Sequence, residues 1–297
     1  MDLEYSKQPL TYTQQADLLH SRGLTINNSK EAVKFLKQVN YYRFSAYCLP
    51  FQKSPDAFIP GVTFQRVTDL YRLDESLRRE VLSLITPVEI FLRTRIIYEF
   101  SHGWGTFAHY DSMNFRDNFN HLEWVSFIEE EIVRGREAYL EHYKNTYKGF
   151  PRLPLWITCE IISLGSLSLL FQGLIPDIQR KICYGLGIPQ FVLVNWLHHI
   201  TYIRNICAHH NRLWNRELNI KPFIPRKIKA WTELNLDPAR IFTSLSILEW
   251  IYRKAELPLS DIEPVFEVLN SITALDERFS QWMGIPPNTT AGFCWNH

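Results

Sequence analysis

The chain has 297 residues, 46% of them hydrophobic and 14% aromatic, which excludes a disordered protein and leaves core material for one large or two modest domains. A formal net charge of +1 excludes global attraction to nucleic acid, so any such binding must use a local patch. Five cysteines without a C-x-x-C pair fit reduced thiols, and the lack of signal-peptide character or an apolar run of ~18 residues predicts a cytoplasmic protein with no membrane span.

In chain order, the pattern is helical nearly throughout, and the predicted class is all-α. Thr13 to Arg22 reads as a short helix stopped by Gly23. Asn28 with Glu31 three residues on forms a capping box that opens a helix through Tyr47, closed by Pro50. Tyr41, Tyr42 and Arg43 near its end read as packing residues, with base stacking as the sharper alternative. Thr63 caps a helix from Phe64 to about Ile85, and Thr86-Pro87 predicts a break and a fresh first turn. The next helix, Pro87 to Phe100, carries Glu89, Arg93 and Arg95 among Ile, Leu and Phe. Glu89 and Arg93 are four apart and can pair across one turn. They either fix helix packing as an internal ion pair, or Glu89 orients a functional side chain elsewhere.

Residues 102–115 form a Gly- and aromatic-rich loop, and 121–147 one long helix whose Glu129-Glu130-Glu131 run reads as a solvated face. After Pro151 and Pro154, Leu155 to Gln172 is apolar almost all round, with Gly165 and serines that permit close approach; it reads as the central helix. A short helix covers Pro176 to Gly185, and Gly187-Ile188-Pro189 leads into the most informative stretch.

From Pro189 onward, Leu193, Trp196, Ile200, Ile203 and Cys207 recur at spacings of three and four, an apolar stripe facing a core. His198, Tyr202, Asn205 and His209 repeat that rhythm two positions later, about 200° round the helix, with Arg204 about 100° from each line. Imidazoles, a phenol and an amide are a poor choice for an inert face, where Glu and Lys favour helix more. Arg grips phosphate oxygens and His titrates near neutrality, which is the minimal kit for cleaving RNA by its own 2′-hydroxyl. Asn205, one turn before His209, is placed to orient its ring. Two rival readings are weaker. His198-His199 and His209-His210 lie ~16 Å apart along a helix, too far for one metal ion, and Cys207 on the core stripe behaves as a small hydrophobe, not a nucleophile. No P-loop or G-x-G-x-x-G is present, and no cofactor is expected.

Residues 209–231 then combine Arg212, Arg216, Lys221, Arg226, Lys227 and Lys229 with Trp214, Phe223 and Trp231 against the single acid Glu217. That mixture suits a single-stranded RNA path, with an ordinary basic loop over buried tryptophans as the alternative. Two closing helices are predicted over 238–254 and 260–282, before a tail from Met283 expected to fray.

Arg204-Asn205-x-x-x-His209 resembles the R-x4-6-H motif of the HEPN superfamily of metal-independent endoribonucleases, and His210 also fits, as the spare. With it stand Tyr41-Tyr42-Arg43-Phe44-Ser45, Pro50-Phe51-Gln52, Leu70-Tyr71-x-Leu73-Asp74-x-x-Leu77-Arg78, Glu89-x-x-x-Arg93-Thr94, Trp156-x-x-x-Glu160, Gly165, and Arg212-Leu213-Trp214-Asn215-Arg216. Over residues of about 30 to 220 this order is similar to the Abi-like family, bacterial abortive-infection proteins of the AbiD/AbiF type.

The resemblance implies a HEPN-like helical bundle over 63–221, with an N-terminal helical segment (1–62) packing on it and C-terminal helices (222–297) closing the same globule. It implies an anti-phage endoribonuclease in which Arg204 stabilises the phosphate, His209 or His210 moves protons and Asn205 orients. Glu89, Arg93, His198 and Tyr202 would support the site, and Arg212, Trp214, Arg216, Lys221, Arg226 and Lys227 would guide RNA. Arg204 and His209 are five positions apart, about 140° of helix, so the family's answer is a homodimer with a composite cleft. An antitoxin protein or a small structured RNA are possible restraining partners. The alternative is a non-catalytic RNA- or nucleotide-binding module on the same scaffold.

Overall fold

Side-chain caps set several of the helix starts. A computed structural model describes residues 8–287 and Cys294. Its described residues are all-α apart from a small hairpin of Gln52–Ser54 and Ala57–Phe58. In α1 (Tyr12–Ser21), Thr11 and Gln14 complete a capping box just ahead of the predicted start. In α2 (Ser29–Gln38), the Asn28 carboxamide oxygen accepts from the amides of Lys30 and Glu31. The helix expected to run on to Tyr47 stops there. Val39 is extended, and the side-chain oxygen of Asn40 accepts the Tyr42 amide at 2.8 Å to open α3 (Tyr41–Cys48).

The opposite departure occurs at Pro87, where a break was expected. Helix α4 runs from Phe64 to Trp104 with Pro87 inside it. Proline lacks the N–H that would bond the Ser83 carbonyl, but Ser83 and Thr86 are exposed, so water can take that carbonyl. The Thr86 hydroxyl donates to the Leu82 carbonyl at 3.0 Å.

The chain divides into two compact units. The first holds the described residues up to Ser76, with 271–277. Its core is aromatic: Phe35 meets the rings of Phe44, Phe64 and Tyr71 edge-on at 5.2–5.7 Å between centroids. The buried Tyr47 phenol donates to Asp74 at 2.5 Å. Tyr41 is half-buried and accepts from Arg22 at 3.1 Å, whereas Tyr42 is 86% exposed.

The second unit holds residues 77–270 and those from 278 on. The long helix expected over 121–147 is two, α5 (His121–Arg134) and α6 (Ala138–Thr146). They part at Gly135, where a Cβ would lie 2.4 Å from Leu140 Cδ1. The predicted central helix is likewise α7 (Leu155–Ile161) and α8 (Leu164–Gly173), because Ser163 is an N-cap accepting from the Ser166 amide at 3.2 Å. Helices α9 (Pro176–Cys183), α10 (Gln190–Ala208), α11 (Lys229–Glu233) and α12 (Ile241–Lys254) follow. Two further helices, α13 (Glu263–Leu275) and α14 (Arg278–Met283), replace the single closing helix expected there. The predicted fraying tail lies mostly outside the described residues.

Two half-buried arginines of α4 cap helix ends. Arg93 donates to the carbonyls of Cys159 and of Ile162, the latter at 3.0 Å, where α7 stops. Arg95 does the same for Ile182 (2.5 Å) and Tyr184 after α9. A guanidinium meets both the orphan carbonyls and the negative end of the helix dipole. Cys48, Cys159, Cys183 and Cys207 are buried free thiols, and burial pushes the first three up to about 12. No helix of the described residues is long and apolar enough to cross a membrane.

Candidate functional site

Helix α10 carries the motif, and its two sides differ as the periodicity requires. Leu193, Trp196, Ile200, Ile203 and Cys207 are all buried, none above 3% exposed. Burying each such side chain contributes roughly 1.5–3 kcal/mol, so this stripe fixes the rotation of the helix. That rotation leaves His198, Arg204, Asn205 and His209 exposed and Tyr202 half-buried.

The C-terminus ends abruptly. His209 is the C-cap, its amide bonded to the Asn205 carbonyl at 3.0 Å. His210 follows in the left-handed region at φ +56°. The His210 amide donates to Cys207 O and the Asn211 amide to Ile206 O, each at 3.0 Å, the paired closure of a Schellman motif. Glycine is the usual residue there, and a histidine costs about 1 kcal/mol of strain. Arg204 and Asn205 sit one turn before this reversal. The Arg204 guanidinium contacts the Asn205 side-chain oxygen at 3.5 Å, so the amide expected to orient His209 faces the guanidinium instead.

Tyr202 supports something other than the motif. Its phenol accepts the Asn219 amide at 3.3 Å. One and two turns earlier, His199 Nδ1 meets Ile220 O at 2.6 Å and the Trp196 indole donates to Phe223 O at 2.9 Å. Asn195 clasps the same segment, accepting from the Phe223 amide at 2.6 Å and donating to Lys221 O at 3.3 Å. One side of α10 thus holds residues 219–223 as a strap. His199 is fully buried, with its Nε2 2.8 Å from the Ser244 hydroxyl, and burial lowers its pKa to about 4. A neutral ring between two oxygen partners is structural. Its place one residue before Ile200, on the edge of the apolar stripe, was the signal for that.

Glu89 and Arg93 pair at 2.8 Å, and with Arg93 also on the end of α7 they secure helix packing. The basic segment is brought together only in part. Trp214 is fully buried against Phe279 and Trp282, centroids 4.5 and 5.9 Å away. This corrects its expected place on an RNA path, because an indole with no exposed face cannot stack on a base. Trp231 is equally buried between Trp196 and Trp250. Phe223 remains 53% exposed. Arg226 and Lys227 are exposed, Arg212 and Arg216 half-buried, and Lys221 lies 3.7 Å from Glu217.

Sequence reasoning missed a cleft of about 920 Å³ beside the motif helix. His198 and Thr201 of α10 form one wall, Ser163, Gly165 and Ser166 another, and Phe119, Trp124 and Phe127 a third. The third wall comes from Phe119, ahead of the helix predicted from His121, and from the first two turns of that helix, in which only the later Glu129-Glu130-Glu131 run has an expected role, as a solvated face. Its shape depends on Gly173, where a Cβ would stand 2.7–2.8 Å from the Phe119 ring.

Comparison with curated proteins gives no match, and comparison with solved structures gives none. A family model, that of the Abi-like proteins, matches residues 34–215. That span covers more than half of the chain and contains the caps on α7 and α9, the cleft and the whole of α10, and so the protein belongs to the Abi-like family.

Proposed function

We propose that this protein is a metal-independent endoribonuclease of a bacterial abortive-infection system, cutting single-stranded RNA at a composite site between two copies. The observation that carries the reading is the end of α10. An always-cationic fork, an amide and an imidazole stand exposed together on a helix whose opposite side is locked in the core.

In the proposed reaction the 2′-hydroxyl oxygen attacks the adjacent phosphorus as the neutral His209 imidazole takes its proton. The bond from phosphorus to the 5′-oxygen breaks, and the imidazolium just formed returns its proton to that oxygen. The products are a 2′,3′-cyclic phosphate and a 5′-hydroxyl end. Arg204 stabilises the charge on the phosphorane-like transition state, Asn205 positions Arg204, and His210 is the alternative proton carrier. Arg212, Arg216, Arg226 and Lys227 supply the local positive charge that a net charge of +1 does not.

Purified Arg204→Ala and His209→Ala variants should each lose at least about a hundredfold in cleavage rate, the usual scale for a general acid–base group, while remaining folded. Products ending in cyclic phosphate, formed in EDTA, are the expected signature; undiminished cleavage by the double variant would refute the assignment. A second reading is a non-catalytic RNA-binding module. It is favoured by the contact of Asn205 with Arg204 rather than with the His209 ring, and tight RNA binding without any cyclic-phosphate product would establish it.

A further inference from the structure

We infer that the cleft beside α10 is a base pocket that holds one unpaired nucleobase of a single-stranded RNA next to the motif; this rests on the RNA reading above. The cleft's aromatic wall is preorganised. The ring of Phe119 stacks on Phe115 at 5.3 Å and 13° and lies over Gly173, the residue that leaves room for it. Trp124 is fixed by an indole bond to Ser166 O at 3.4 Å. Phe127 presents its ring to the opening, 46% exposed. A π-face held ready in this way suits base stacking, which is worth about 1–3 kcal/mol per base and tolerates any sequence.

The polar groups suit a base rather than a phosphate. Arg116 is the one guanidinium or ammonium group lining the cleft among the described residues. It is already committed to Leu174 O at 3.1 Å and to the Gln179 side-chain oxygen at 2.7 Å. The Glu123 carboxylate lines the same space and repels a phosphate, yet it can accept from a ring or exocyclic N–H. The Ser163 and Ser166 hydroxyls bond each other at 3.1 Å, which leaves one O–H of the pair to donate to a base. The volume lies in the range of small-molecule sites.

Position completes the case. Thr201, on the cleft wall, is one helical turn before Asn205, about 6 Å along the axis. His198, also on that wall, is on nearly the same line of the helix as His209. A strand leaving the cleft along this line runs onto the exposed motif.

The test uses the full-length Arg204→Ala/His209→Ala protein and a single-stranded RNA containing 4-thiouridine, irradiated and mapped by mass spectrometry. Crosslinks within residues 116–127 or 163–173 are expected. They should fall about fivefold or more on adding Phe127→Ala and persist with Phe127→Tyr, which keeps a ring. Crosslinks confined to other segments, no crosslink, or no effect of Phe127→Ala would each overturn the pocket. So would a cleft filled by a second copy of the chain, seen as a change of oligomeric state on Phe127→Ala. Because the readout needs no turnover, it separates the two ideas. RNA cleavage without cleft crosslinks removes the pocket and leaves the nuclease, and cleft crosslinks without cleavage do the reverse.

Discussion

His210 shows what a single residue can reveal. A left-handed non-glycine residue at a helix end is strained, and such strain tends to persist where the side chain serves function. We expect His210→Gly to raise unfolding free energy by about 0.5–1 kcal/mol in urea titrations. If His210 carries protons, the same variant should lose RNA cleavage; if it is only a spare, cleavage should stay near wild type.

His199 and His109 act in the opposite sense. Burial lowers their pKa from 6.5 to about 4 and about 3, so the folded chain holds both rings neutral where the unfolded chain protonates them. Their contribution is therefore complete above pH 6.5 and declines as pH falls through 6.5 towards those values. For His199 the loss by pH 4 is on the order of 3 kcal/mol. The urea midpoint should drop steadily between pH 7 and pH 5, and less steeply in His199→Leu, whatever that variant loses at neutral pH. A flat midpoint across this window would contradict the burial of these rings.

At the scale of elements, the apolar periodicity of α10 was legible because its repeat is long and its stripe almost purely Leu, Ile and Trp. Boundaries inside apolar runs were not. Asn40, Gly135 and Ser163 each divide a helix that hydrophobicity alone would continue, because a local cap or a steric gap acts on one residue while the pattern is averaged over many. Pro87 was overread for the same reason, since its missing bond falls on the solvent side. Replacing it with alanine should restore that bond and raise thermal stability, by as much as about 3 kcal/mol from the helical preference of the two residues.

The strap could not be read at all, because its partners are backbone groups some twenty residues away. Asn195→Ala removes two of its hydrogen bonds. The Phe223 amide should then exchange with solvent at least about tenfold faster, a net loss of ~1 kcal/mol per bond.

For the whole molecule, a composite site makes a prediction that no single-chain site shares. Subunits carrying Arg204→Ala and subunits carrying His209→Ala are each inactive, but a mixed dimer retains one intact pairing. Unfolding and refolding the two together should restore roughly a quarter of wild-type cleavage, given random pairing of a symmetric dimer. A mixture as inactive as its parents would place Arg204 and His209 in one subunit's site. The all-α class and the family could be inferred from the chain itself. The identity of the buried tryptophans could not, because basic residues beside Trp214 and Trp231 read equally well as an RNA path or as a charged surface over a core.

The buried thiols give the molecule an internal clock. At pH 8 a thiol with a pKa of about 12 is almost never a thiolate, so alkylating reagents should modify Cys48, Cys159 and Cys183 only as fast as the surrounding helices open. Cys48 belongs to the first unit and the other two to the second. Following each alkylation by mass therefore times the breathing of the two halves separately, with no label added and no residue changed.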